Sequence, residues 1–76
     1  MNIGNYCRDY RISCQSTLLD LCKNYKDSDK LVKSLSAFEH GRSTNFNHIR
    51  LYVRLSFERG EQNLFCFGLM EVLNNG

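Results

Sequence analysis

The side chains that can do chemistry in this 76-residue chain are few and scattered. Neither His40 nor His48 has a nucleophile and a carboxylate that the spacing would bring to a shared site. The chain also lacks a glycine-rich phosphate loop and a pair of carboxylates suited to acid–base catalysis. We therefore predict a binding protein and not an enzyme.

The four cysteines form no metal-binding pattern. Cys7, Cys14, Cys22 and Cys66 include no C-x-x-C pair, and the two histidines are not placed as in a zinc finger. Disulfides are the weaker interpretation, because the chain has no export signal. Three of the thiols fall on apolar faces, where a reduced cysteine packs as a small core residue. We predict no metal and no cofactor.

One acid has an unusual place in the sequence. In residues 34–45, SLSAFEHGRSTN, Glu39 directly follows Phe38 near the end of an amphipathic segment, and a basic and hydroxyl-rich run comes next. On a helical wheel this acid lies about 80° from the middle of the apolar stripe that Phe38 shares with Leu31 and Leu35. An acid at the margin of a core needs a partner, and arginine offers a fork of donors. The pattern predicts a structural ion pair.

Positive charge is concentrated in the middle of the chain. The net charge of +2 is too small to indicate a nucleic-acid partner by itself. Acids and bases are mixed through residues 8–30, whereas the stretch from Lys30 to Arg54 contains only one acid, Glu39. The cations of this basic stretch are Lys30, Lys33, Arg42, Arg50 and Arg54.

Length and composition predict one small helical domain. A chain of this size buries only about 60–65% of the surface that its unfolded form exposes, so a partner subunit would add stability. The absence of proline and the presence of only five glycines favour an all-α fold. No run of roughly 18 apolar residues and no signal-peptide segment is present. We expect a soluble, cytoplasmic protein with no membrane partner.

The first two helices have local signals. Helix 1 is predicted by an apolar stripe whose members follow one another at spacings of four, three and four. They are Ile3, Cys7, Tyr10 and Cys14. Thr17 and Asp20 are spaced as in a capping box, which predicts that helix 2 spans about residues 18–24.

Helix 3 is predicted between a polar linker and a glycine. Ser28 or Asp27 can cap its start, and Gly41 can adopt the left-handed conformation that ends it at about His40. The side of the helix opposite the apolar stripe is small, polar and basic. It carries Asp29, Lys33, Ser36, Ala37 and His40.

Helix 4, over about residues 45–57, is apolar on two nearly opposite sides. One side has Phe46, Ile49, Val53 and Phe57, and the other has Leu51 and Leu55. The following segment, LFCFGLMEVL, is apolar almost all round, which predicts a buried element, either helix or strand. We expect a second copy of the chain to cover the surplus apolar surface. The predicted dimer contacts are Leu51, Leu55, Leu64, Phe65, Phe67, Leu69, Met70 and Leu73.

Three segments together resemble the phage-repressor (XRE-type) helix-turn-helix family. They are RDYR at 8–11, TLLDLC at 17–22 and SLSAFEHGRS at 34–43, within a resemblance that spans about two thirds of the chain. The resemblance implies a compact bundle of four or five helices, with a helix-turn-helix core over residues 1–58 and a dimerisation element over 60–74. It also implies that Glu39 pairs with an arginine of helix 1. The favoured register selects Arg11, and a shift of three residues selects Arg8.

The resemblance further implies a DNA-binding role. The base-reading side of helix 3 corresponds to Val32, Lys33, Ser36 and Ala37. Phosphate contacts correspond to Thr17, Lys30, Arg42, Ser43, Thr44 and Asn47. The implied partner is double-stranded DNA with an inverted repeat, bound by a homodimer that represses a promoter, including that of its own gene. Similar domains also occur in phages, fused to or encoded beside anti-CRISPR proteins.

Two departures from the family pattern affect the predicted DNA contacts, and a second class of function also stays open. Leu18 stands where the family has a DNA-contacting glutamine, and the linker KNYKDSDK is about three residues longer than the common form. The alternative is a protein-interaction module, such as an inhibitor or antitoxin subunit or an anti-CRISPR protein, that binds a protein target through its aromatic C-terminal segment.

Overall fold

The computed structural model describes residues 2–75, and this part of the chain is all-α, without a strand. The helices are α1 (Ile3–Ser13), α2 (Leu18–Cys22), α3 (Ser28–Glu39), α4 (Ile49–Glu58) and α5 (Gln62–Asn75). A short 3₁₀ helix, Phe46–His48, leads into α4. The predicted fold class is confirmed, and the C-terminal segment is a helix. Between residues 2 and 75, no helix is both long and apolar enough to cross a membrane.

The predicted capping box starts α2. The Thr17 hydroxyl accepts a hydrogen bond from the Asp20 amide at 3.1 Å, and the Asp20 carboxylate accepts one from the Thr17 amide at 2.9 Å. A helix of only five residues has little stability of its own. Its two end bonds and its packing against α3 therefore hold it in place.

α3 ends as predicted but does not start as predicted. Gly41 has a φ of 76°, and the Arg42 amide donates to the Ala37 carbonyl at 2.8 Å, which is a Schellman cap. The predicted side-chain cap at the start is wrong, because the N-cap residue Asp27 has a φ of 58° and its side chain makes no capping bond. Residues 23–27 must reverse the chain direction between α2 and α3, and aspartate tolerates the left-handed conformation that this reversal uses.

α1 is the central helix and packs against α3, α4 and α5. Two glycines allow this close approach. A methyl group at Gly4 would overlap the carbonyl oxygen of Phe38 in α3, and one at Gly68 in α5 would overlap the Tyr6 hydroxyl. That hydroxyl donates to the Phe65 carbonyl at 2.8 Å, so α1 is held on both sides. The core residues are Cys7, Cys22, Leu35, Phe38, Leu51, Tyr52 and Phe65.

α4 is rotated differently from the prediction. Leu51 is only 7% exposed and packs in the core beside Tyr52, whereas Phe46 and Phe57 are 55% and 68% exposed. The expected dimer contact at Leu51 is therefore wrong, and Leu55 is half-buried. The reason is that the Tyr52 hydroxyl hydrogen-bonds to a buried acid, which turns this side of α4 inward.

α5 lies on the surface and is not the buried element that its composition predicted. Phe65 is its one buried side chain among the residues described, and it packs in the core, so its predicted dimer contact is also wrong. Leu69 is half-buried against the core. The other expected contacts on this helix are exposed. They are Leu64, Phe67, Met70 and Leu73.

Candidate nucleic-acid interface

A buried ionic cluster fixes the inner side of α3. Glu39 is 1% exposed, and its carboxylate accepts bonds from Nε of Arg11 at 2.8 Å and from Nη2 of the same residue at 2.9 Å. This fork geometry is the strongest form of the arginine–carboxylate pair. The predicted Arg11–Glu39 ion pair is confirmed, and the register that would have selected Arg8 is excluded.

Two further bonds complete this cluster. The Tyr52 hydroxyl of α4 donates to Oε2 of Glu39 at 2.6 Å, and Nη1 of Arg11 donates to the Ser16 carbonyl at 2.9 Å. Within residues 2–75, no buried side-chain nitrogen or oxygen lacks a hydrogen-bond partner. The cluster therefore joins α1, α3, α4 and the connection before α2 into one rigid unit, without an unpaired buried charge.

Tyr52 was not found from the sequence. It lies 13 residues beyond Glu39 and on another helix, so no local spacing connects the two. Tyrosine at helical spacing indicates core or interface in general, so the pattern alone gives Tyr52 no specific role. A buried carboxylate can accept more hydrogen bonds than one arginine donates to it. This spare capacity was the signal that a further donor, here Tyr52, lies nearby.

Three side chains in or beside this cluster have raised pKa values. Burial, followed by the hydrogen bond from its hydroxyl to Glu39, raises the pKa of Tyr52 far above its ordinary value. Burial and then the negative charge of Glu39 raise the pKa of the Cys7 thiol to about 12. The hydrogen bond to Glu39 is the main cause of the raised pKa of Arg11. At neutral pH the thiol and the phenol are therefore neutral and the guanidinium is charged.

The outer side of α3 presents the residues predicted to read bases, though not equally. Lys33 is exposed, and Ser36 and Ala37 are half-buried. Val32 is half-buried and packs against the core, so less of its side chain is available to a ligand. His40 extends this side of the helix, is exposed, and has Nδ1 at 2.8 Å from the Ser36 carbonyl. An approaching ligand would meet a cation, a hydroxyl and a small apolar group.

The residues predicted to contact phosphate lie at both ends of α3 and in the loop that follows. Lys30, Arg42, Thr44 and Asn47 are exposed, and Ser43 is half-buried. Side chains hold the loop in shape. Ser43 Oγ accepts from the Asn45 amide at 3.3 Å, and the Asn45 side chain accepts from the Asn47 amide at 3.2 Å. The loop therefore presents a defined set of donors after the end of α3.

Thr17, the remaining predicted phosphate contact, is exposed but lies beside an acid. The Asp20 carboxylate accepts the Thr17 amide bond, and that bond is the main cause of the lowered pKa of Asp20. The negative charge weakens the attraction of the α2 N-terminus for an anion. Thr17 is thus a weaker candidate for phosphate binding than Arg42.

Four cations of the basic stretch have no ion-pair partner in the described part of the chain, residues 2–75. These are Lys30, Lys33, Arg42 and Arg50, whereas Arg54 is paired with Glu58 at 3.2 Å. Asp29 is an exposed acid in the first turn of the same helix. The outer side of α3 and the loop after it can donate hydrogen bonds to an anionic ligand with acceptor groups.

Comparison of the chain with protein-family models, with curated proteins and with solved structures gave no match. The likeness to XRE-type repressors therefore remains a resemblance that three short segments carry, together with the Arg11–Glu39 pair that it led us to expect.

Proposed function

We propose that this protein is a sequence-specific regulator that binds double-stranded DNA and acts as a homodimer on an inverted-repeat operator. The observation that carries the proposal is the contrast between the two sides of α3. The inner side is fixed by the Arg11–Glu39 pair, and the outer side exposes Lys33 between the cations Lys30 and Arg42. A helix held rigidly with donors on its outer side suits the major groove, which is wide enough to admit one.

In this proposal the outer side of α3 reads bases. Lys33 donates to O6 and N7 of guanine, and Ser36 donates to or accepts from a base edge. Ala37 contacts a thymine methyl group. Val32 contributes less to this contact, because its side chain is partly packed against the core. Preference for one base is expected to depend most on Lys33, because it is the most exposed of the four.

The loop after α3 and the start of the helix set the position on the DNA. Lys30 and Arg42 neutralise phosphates, and Ser43, Thr44 and Asn47 donate to phosphate oxygens. Such contacts fix the register of the protein on the duplex and carry no sequence information directly. They also make binding depend on salt, because each neutralised phosphate releases a counterion.

Two copies related by a two-fold axis would bind half-sites about one helical turn apart, which is roughly 34–36 Å. A dimer bound within a promoter blocks access to it, so we propose repression, with the promoter of its own gene as the first candidate. A phage or other mobile element is the proposed setting, since the resemblance is to phage repressors.

The test is fluorescence anisotropy with a labelled duplex taken from the DNA upstream of the gene, over a range of salt concentrations. Arg42→Ala is expected to weaken binding to all sequences alike and to reduce the salt slope by about 1 per copy. Arg59→Ala is the matched control. It removes the same charge from the turn between α4 and α5, where Arg59 is already paired with Glu61, so the slope should not change. Equal slopes for both variants, or no binding of the unchanged protein at low salt, would contradict the proposal.

One observation favours a second candidate, a protein-interaction module. α4 and α5 expose large apolar side chains, among them Phe57 and Phe67, which are each 68% exposed. An inhibitor or antitoxin subunit would use such a surface to bind another protein, with the helix-turn-helix as a scaffold. A stable complex with a defined protein, together with no binding of DNA at low salt, would favour this candidate over the regulator.

A further inference from the structure

A cleft of about 270 Å³ lies where the start of α1, the loop after α3 and the end of α5 meet. We call it the α1–α5 cleft. The residues that these three segments contribute to its lining include Asn2, Ile3, Ser43, Thr44, Val72 and Leu73. Phe38, which is 1% exposed, also lines it, so the cleft reaches the hydrophobic core.

One wall of the cleft is held in a fixed position. A methyl group at Gly4 would overlap the carbonyl oxygen of Phe38. A methyl group at Gly41 would come within 2.9 Å of Nδ2 of Asn2. The start of α1 therefore packs directly on the end of α3. Ligand sites in proteins are usually largely preformed, and this wall needs no rearrangement to receive a ligand.

The cleft offers hydrogen-bond donors from the N-cap of α1 and from the loop. Oδ1 of Asn2 accepts from the Asn5 amide at 2.7 Å, and the Nδ2 group of the same side chain can donate to a ligand. Ser43 Oγ accepts from the Asn45 amide at 3.3 Å and keeps its proton as a donor. The hydroxyl of Thr44 is a third donor. A ligand with an acceptor oxygen complements these groups.

The rest of the lining selects against a charged ligand. Within residues 2–75, no ionisable side chain lines the cleft, and a charge that loses its water there would meet no opposite charge. Phe46 and Leu73 are 55% and 56% exposed, so an apolar ligand would cover them. A cavity of roughly 150 Å³ accepts a benzene ring, so this cleft has room for one ring and a small substituent.

We propose that the α1–α5 cleft binds a small uncharged ligand, a ring with one carbonyl or hydroxyl oxygen, and that this ligand weakens DNA binding. The coupling rests on the proposed function, in which Ser43 and Thr44 donate to phosphate oxygens. A ligand oxygen that accepts these protons removes donors from the DNA. By linkage, DNA weakens binding of the ligand by the same factor. A repressor with this cleft releases its operator when the ligand is present.

The first test is amide NMR of the whole chain, labelled with nitrogen-15 and titrated with acetophenone in the absence of DNA. Acetophenone has one ring and an uncharged carbonyl group. Saturable shifts are expected for the resonances of Ile3, Thr44, Phe46 and Leu73. Benzoate is the matched control compound, because it has the same ring and an anionic carboxylate in place of the acetyl group. It should bind more weakly by about tenfold or more.

Leu73→Glu is expected to abolish acetophenone binding, because it replaces an apolar wall of the cleft with a charged group. Leu64→Glu is the matched control. It makes the same change on the same helix, at a residue that is 70% exposed and does not line the cleft, so acetophenone should bind as before. If Leu73→Glu does not fold, Phe46→Glu decides in the same way, because Phe46 is also exposed and lines the cleft.

Three results would overturn the ligand site. They are the absence of saturable shifts with acetophenone, equal binding of benzoate, and equal binding by Leu73→Glu. Shifts of the same resonances that depend on protein concentration alone would show that another copy of the chain occupies the cleft. That result would overturn the ligand site as well.

The second test adds acetophenone to the anisotropy measurement. At saturation it is expected to weaken DNA binding of the unchanged protein by about fivefold or more and to have no effect on Leu73→Glu. DNA binding that acetophenone does not change would overturn the coupling. A protein that binds acetophenone but no DNA would contradict the proposed function, and with it the coupling, but not the ligand site.

Discussion

The two sides of α3 differ in how their charged groups are paired. On the inner side, a charged carboxylate is buried, and every bond that it needs comes from the same chain, through Arg11 and Tyr52. On the outer side, the cations Lys30 and Lys33 are exposed and have no acid partner within residues 2–75. A self-sufficient inner side gives stability and a fixed orientation. An outer side with unused donors gives the capacity to bind.

The contrast assigns different consequences to substitutions that lie close together on one helix. A change on the inner side should reduce the stability of the fold before it alters the choice of ligand. A change on the outer side should alter binding and leave the stability almost as it was, because surface substitutions away from special features cost little.

The largest effect is expected for Glu39→Ala. The substitution leaves the Arg11 guanidinium buried without its carboxylate and the Tyr52 hydroxyl without its acceptor. Breaking a buried pair in this way costs about 3–5 kcal/mol, a large part of the stability of a small domain. The melting temperature should fall by more than about 12 °C, as measured by circular dichroism.

Glu58→Ala is the control for this substitution. It also removes a carboxylate from an arginine, but the Arg54–Glu58 pair is exposed to solvent on both sides, and such pairs contribute little. The melting temperature should hardly change. If Glu39→Ala melted at the temperature of the unchanged protein, the inner side of α3 would not be held by this cluster.

A smaller effect is expected at alkaline pH. The Cys7 thiol and the Tyr52 phenol have pKa values that are higher in the folded chain than their ordinary values of 9.0 and 10.0. The unfolded chain therefore loses these protons first, and the stability is complete below pH 9 and falls as the pH rises toward about 12, the folded value of Cys7.

Urea unfolding at neutral pH and at several alkaline pH values measures this slope. Cys7→Ala should reduce the slope because it removes one of the groups whose pKa is raised by burial, whatever it does to the stability at neutral pH. Cys66→Ala is the control, since it also removes a thiol but Cys66 is half-exposed on α5. A free energy of unfolding that stays level across the alkaline range would show that neither group is buried as a neutral acid.

Local signals predicted most of the fold. The capping box at Thr17 and the left-handed Gly41 have fixed spacings and conformational demands, so both could be read from neighbouring residues. The rotation of α4 about its own axis could not be predicted in this way. Two sides of this helix are apolar, and periodicity does not say which of them faces the core. The deciding contact, from Tyr52 to Glu39, is tertiary.

The same limit applies to the site and to α5. The Arg11–Glu39 pair was reached because an acid at a core margin requires a partner and the family resemblance named one. The composition of α5 predicted burial, but a bundle of this size has only enough core to bury one side chain of α5, that of Phe65. The other large apolar side chains of this helix are exposed or half-buried.

The most direct measurement of the central claim is selection of binding sites from a pool of random DNA duplexes, with the unchanged protein and with Lys33→Ala in parallel. We expect the unchanged protein to enrich an inverted repeat with half-sites about one helical turn apart. Lys33→Ala should keep the melting temperature and lose the preference at one position in each half-site, worth about 1–3 kcal/mol. Enrichment of no sequence, or of the same sequence by both proteins, would contradict the assignment of base reading to the outer side of α3.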